Sequence, residues 1–154
     1  MKTKCFGEEN LIFSGTSFST KYTWHHTRSI SAKVPWYKAI WFSHATPKYS
    51  FCTWLAAHGR LSTSDCMIKW ANGFATDYVL CQGNIETREH LFFTCSYTST
   101  IWAALAKAVF KLQYTLNWQS IMNHIKNAQL HHVECFLSGY VLQATVYTVW
   151  RERN

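Results

Sequence analysis

From Trp36 to the C-terminus, apolar side chains keep returning at i, i+3 and i+4, with few breaks between them. That period matches the 3.6-residue turn of an α-helix, so the pattern commits most of the chain to amphipathic helices packed on one another. The chain holds only 6 Gly and 2 Pro, too few for the turn-rich course of a β-sandwich. Its 48% hydrophobic and 17% aromatic residues can fill a core and do not match the composition of a disordered chain. The expected fold is therefore mainly α.

Residues 1–10 read as a loose end. Leu11-Ile12-Phe13 and Ser17-Phe18-Ser19, separated by Ser14-Gly15-Thr16, suggest a short N-terminal β-hairpin. Helices are expected over residues 21–30, 36–41 and 47–58. In the third, Thr46 is the N-cap, Pro47 takes the first position and Gly59 stops the helix, with Phe51, Trp54, Leu55 and His58 as the apolar face. Ser62 and Asp65 hold capping-box spacing for a helix through Met67, Ile68 and Trp70. Phe74 to Glu86 reads as loop, and Thr87 caps a short helix through His90, Leu91 and Phe92. Three more helices follow, over residues 97–111, 118–127 and 131–151. The first of these points Ile101, Trp102, Leu105, Val109 and Leu112 inward. The last points Val133, Phe136, Leu137, Tyr140, Val141 and Ala144 inward, and Arg151 and Arg153 at its end oppose the helix dipole.

The formal net charge is +7. The basic residues are scattered singly, which suits either a phosphate-facing surface or ordinary solubilising charge. Two-metal polymerases and nucleases need clustered carboxylates, yet the only Asp residues are Asp65 and Asp77. Neither a P-loop, a G-x-S-x-G elbow nor a G-x-G-x-x-G fingerprint is present. The expectation is a chain with no catalytic residues, no enzyme activity and no small-molecule substrate. The polar start contains no signal peptide, and the stretch from His132 to Trp150 carries Glu134 and Gln143, which suits a core helix and not a bilayer span. An intracellular location, with the nucleus compatible, and no membrane partner follow. The six cysteines then read as reduced thiols.

Cys81, His90 and Cys95 fall within one loop-plus-helix segment. Thiolate and imidazole are good zinc donors, and a short loop brings them together at low entropic cost. The spacing of five between His90 and Cys95 is too wide for one helical face, so the two converge only if the helix ends just before Cys95. The alternative is that His90 sits in a capped turn while Cys81 and Cys95 are small buried hydrophobes. The tryptophans Trp36, Trp41, Trp54, Trp70 and Trp102 likewise suit either base stacking or, at their helical spacing, the core.

Several blocks stand in a fixed order: Pro47-Lys48, Phe51, Trp54, His58-Gly59-Arg60-Leu61 and Thr63; then Cys81; then Glu86-Thr87, His90-Leu91-Phe92-Phe93 and Cys95; then Ile101-Trp102; and at the end Tyr147-Thr148-Val149-Trp150. Over residues 11–154 this resembles the reverse transcriptase zinc-binding domain of plant non-LTR (LINE-type) retrotransposons. The resemblance implies a zinc-knuckle-like loop with Cys81, His90 and Cys95 as metal ligands and zinc as cofactor. The family motif opens with C-x-x-C, and Tyr78 stands at its first position, so the fourth ligand is missing there. A neutral phenol, with a pKa of about 10, is a poor substitute, and Asp77 and Cys66 lack matched spacing. The implied organisation is a loose end (1–10), the zinc-binding-like domain (11–112) and a C-terminal helical extension (113–154). The implied function is a non-catalytic accessory domain associating with RNA or DNA, or with a reverse transcriptase domain. A protein-interaction or structural module, or a non-functional relic with a degraded zinc site, are the alternatives.

Overall fold

Helices make up most of the computed structural model, which describes residues 19–29, 32–70, 81, 85–127 and 131–154. No strand occurs among the described residues. Residues up to Lys33 form one unit and those from Val34 onward another. In the first, α1 (Thr20–Thr27) starts at Ser19, whose hydroxyl accepts the Tyr22 amide at 3.3 Å. That bond satisfies one of the donors a helix start leaves unpaired. The expected hairpin lies outside the described residues, apart from Ser19, which is this cap.

The second unit runs α2 (Tyr37–Ile40), α3 (Pro47–Ala57), α4 (Ser64–Trp70), a π-helical turn (His90–Thr94), α5 (Ser96–Phe110), a 3-10 turn (Lys111–Gln113), α6 (Trp118–Ile125) and α7 (His132–Arg153). The long α7 is its spine and packs against α3, α5, α2, α6 and the π-helical turn. The core between them is built from Ile40, Leu91, Phe92, Phe93, Trp102, Phe110, Ile121, Ile125, Leu142 and Val146, all at most 2% exposed. Trp102 keeps its one polar atom paired by donating Nε1–H to the Thr115 carbonyl at 3.0 Å, as a buried indole must. No helix among the described residues is long and apolar enough to cross a membrane.

The helix start at Pro47 and the stop at Gly59, with φ of 61°, match the sequence reading. The caps differ in detail. Thr46 makes no side-chain capping bond, and its carbonyl instead receives the Tyr49 and Ser50 amides. α4 begins from Thr63, whose carbonyl takes the Cys66 and Met67 amides and whose hydroxyl donates to the Asp65 carboxylate, so Ser62 is not the cap.

Three helices turn inward a face rotated from the one their apolar spacing suggests: Trp54, Leu55, Trp102, Val109 and Val141 still pack on the core, while other members of each stripe face out. α3 buries Ser50, Cys52, Thr53 and Ala56, while Phe51 is 54% exposed and His58 lies at the surface. α7 buries Ser138, Gly139, Leu142, Gln143, Thr145, Val146 and Val149 and leaves Val133, Leu137 and Tyr140 outside. α5 buries every fourth residue from Thr98 through Trp102 and Ala106 to Phe110, with Leu105 partly outside and Leu112 fully exposed in the 3-10 turn. Small side chains line the contact of α3 with α7, and Gly139 makes room for the Phe42 ring, whose Cε1 would stand 2.7 Å from an added Cβ. Gln143 is fully buried and pairs both ends of its amide, donating to the Ile40 carbonyl at 2.6 Å and accepting from Ser50 Oγ at 3.2 Å. A buried amide has to be paired, and that requirement fixes Ser50 on the inner face of α3.

Candidate metal centre

The site starts at Thr87, whose hydroxyl accepts the His90 amide at 3.1 Å and opens the turn as its sequence position suggests. The next three residues, Leu91, Phe92 and Phe93, are all fully buried. Three consecutive inward residues span about 200° of an α-helix, more than one packed face covers. The backbone widens into a single π-helical turn, closed by the Cys95 amide donating to the His90 carbonyl at 3.0 Å. Rings hold it there: Phe93 lies 4.9 Å from Trp102, and both Phe92 and Phe93 lie near Trp118.

That turn resolves the spacing of five. On an α-helix, positions five apart differ by about 140° around the axis. A ring closed from i to i+5 brings them nearly above one another. Cys95 then takes an extended conformation (φ −61°, ψ 140°) as the residue before α5, and its carbonyl receives the Ser99 amide. His90 and Cys95 thus share one side, one half-buried and the other fully buried.

Cys81 completes the group from earlier in the chain. Its Sγ lies 3.1 Å from His90 Nε2, and the ligand atoms of Cys81, His90 and Cys95 all lie within 4.8 Å of one another. A tetrahedral zinc with bonds of about 2.0–2.3 Å needs donors roughly 3.3–3.8 Å apart. Two sulfurs and an imidazole nitrogen at these separations fit that ion with small side-chain adjustments. No other such group occurs among the described residues. Cys66 is not part of it and donates to the Gly59 carbonyl at 3.6 Å. Tyr78 and Asp77 lie outside the described residues. The five described cysteines, Cys52, Cys66, Cys81, Cys95 and Cys135, form no disulfide.

The sequence reading missed what holds the segment leading into the site. Glu86 is 1% exposed. Its carboxylate accepts Nε and Nη2 of Arg153 at 2.8 Å each, and the amide and hydroxyl of Ser64 at 3.1 and 3.3 Å. Arg153 also donates to the Ser62 carbonyl. The end of α7 therefore clamps the start of α4 to the strand of chain entering the π-helical turn. The only sequence hint was the basic end of α7, which also suits a helix dipole.

A family model described as zinc-binding in reverse transcriptase matches residues 18–102, more than half of the chain. No curated protein and no solved structure matches it. All three donors that the fold gathers fall within the matched span, and the chain belongs to the family of zinc-binding domains in reverse transcriptases.

Proposed function

We propose that this chain is a non-catalytic accessory domain from a plant LINE-type retroelement, in which Cys81, His90 and Cys95 hold zinc and the folded unit associates with nucleic acid beside a reverse transcriptase. The observation that carries the reading is the convergence of the three donors within 4.8 Å inside the matched span. Bound there, zinc supplies a structural cross-link. The ion joins Cys81 to His90 in the π-helical turn and to Cys95 at the start of α5, so it ties three points of the chain together. The carboxylates support a non-catalytic role, because each of four is engaged by an arginine or lysine: Glu86 by Arg153, Glu89 by Arg88, Glu134 by Lys111 and Glu152 by Arg151. None is left clustered to hold a catalytic magnesium pair.

The test is metal analysis of the purified protein with cobalt substitution. Near-stoichiometric zinc is expected, and cobalt should give a thiolate charge-transfer band that weakens in Cys81→Ser and in Cys95→Ser. Absence of both zinc and the cobalt band in folded protein overturns the metal assignment. Magnesium-dependent primer extension by the pure chain overturns the non-catalytic one.

A further inference from the structure

The outward face of α3 has no place in the metal site, and its composition is unusual for a surface. Phe51 stacks on Trp54 with centroids 5.7 Å apart and planes 23° apart. Trp54 meets His58 at 4.9 Å, and His58 meets Trp36 at 5.2 Å. The result is an unbroken row of four rings, with Phe51 54% exposed and His58 at the surface. Cations bracket the row. Arg60 lies 5.6 Å over the Trp54 ring, and Lys48 lies 5.1 Å over Tyr147 and 5.6 Å over Tyr49.

Charge identifies the occupant. From Val34 to Ser64 the chain has no Asp or Glu, yet it carries Lys38, Lys48 and Arg60. Among the described residues, neither Lys48 nor Arg60 pairs with a carboxylate. The carboxylates that follow are engaged elsewhere: Asp65 by the Thr63 hydroxyl and Glu89 by Arg88. Exposed Phe51 and His58, continued by the half-buried Trp54 and Trp36 and flanked by cations that pair with no carboxylate, suit a polyanion that presents flat apolar faces.

We infer that this face of α3 is a stacking platform for single-stranded nucleic acid. Bases lie on Phe51 and the Trp54–His58–Trp36 row, while Lys48 and Arg60 neutralise the flanking phosphates. A duplex keeps its bases stacked on one another and offers this row no faces. The inference rests on the nucleic-acid part of the proposed function and assigns it a place.

The experiment is fluorescence anisotropy of the full chain with fluorescein-labelled 12-mers: oligo(U), oligo(dT) and a 12-base-pair duplex. Both single strands should bind in preference to the duplex, more weakly as salt rises. Phe51→Ala should weaken them by roughly 5- to 150-fold, whereas Phe51→Trp, which keeps a ring, should retain binding. Arg60→Ala should flatten the salt dependence, and Lys107→Ala on α5 should change little. Circular dichroism checks that each variant is folded, and Phe51→Trp keeps the comparison valid if Phe51→Ala is not. Undiminished binding by folded Phe51→Ala and Arg60→Ala overturns the platform while leaving nucleic-acid association standing. So does a preference for duplex. Self-association that Phe51→Ala abolishes, with oligonucleotide binding unchanged, overturns it in favour of a contact between copies. No binding of any oligonucleotide by the original chain removes the platform and the nucleic-acid reading together, and leaves the zinc assignment untouched.

Discussion

Arg153 grips Glu86 from 67 positions away, with two parallel hydrogen bonds of 2.8 Å onto a carboxylate that is almost wholly buried. The pair joins the last turn of α7 to the chain just ahead of the π-helical turn. Removing the guanidinium strands a buried negative charge. Arg153→Ala is expected to cost about 3 kcal/mol in urea unfolding. The double change Glu86→Gln with Arg153→Met should recover most of that loss, since a neutral amide still accepts from Ser64. Equal stability of the single and double variants would contradict the clamp.

Tyr78 occupies the position where the family motif has its first cysteine. A thiolate at that position supplies a fourth ligand and a metal–sulfur bond where a neutral phenol offers a poor donor. Tyr78→Cys is expected to retain zinc at a chelator concentration that strips the original chain, and to raise the thermal midpoint with zinc present. Equal retention by both proteins at one limiting chelator concentration would show that Tyr78 is not the defect.

Trp102 and Trp41 should respond very differently to truncation. Trp102 is fully buried, touches Phe93 and Phe110 and donates to Thr115, whereas Trp41 is 48% exposed. Trp102→Ala is expected to destabilise by about 3–5 kcal/mol, and Trp41→Ala by no more than about 1 kcal/mol. Denaturant midpoints for the two variants, compared at a common slope, check the difference.

Burial pushes the Cys52 thiol up to about 11 from an ordinary 9.0. In alkaline solution the unfolded chain ionises first, so the unfolded state gains and stability falls as pH rises from about 9 to about 11. Cys52→Ala should flatten that part of the stability–pH curve. In the folded chain Cys52 should also be alkylated by iodoacetamide more slowly than the less buried Cys66 and Cys135. Mass spectrometry of a time course at pH 8 would reveal the order.

The helical class, most helix positions and the grouping of Cys81, His90 and Cys95 were legible in the sequence, because they depend on local features: the apolar period, Pro47 and Gly59 at the ends of α3, Thr87 before His90, and Cys and His close together in the chain. What the sequence could not decide was orientation. Phe51 and His58 look like part of a core face by spacing, yet they lie at the surface, and contact with α7 selects the face where Ser50 can pair with Gln143 93 positions away. Periodicity records which residues are apolar, whereas close backbone approach is governed by which are small. The convergence of His90 with Cys95 is also tertiary in origin. Burying Leu91, Phe92 and Phe93 together widens the turn, and the widened turn aligns two donors whose spacing would otherwise hold them apart. The Glu86–Arg153 clamp depends on where the last turn of α7 comes to rest against the middle of the unit, a distance that no local pattern encodes.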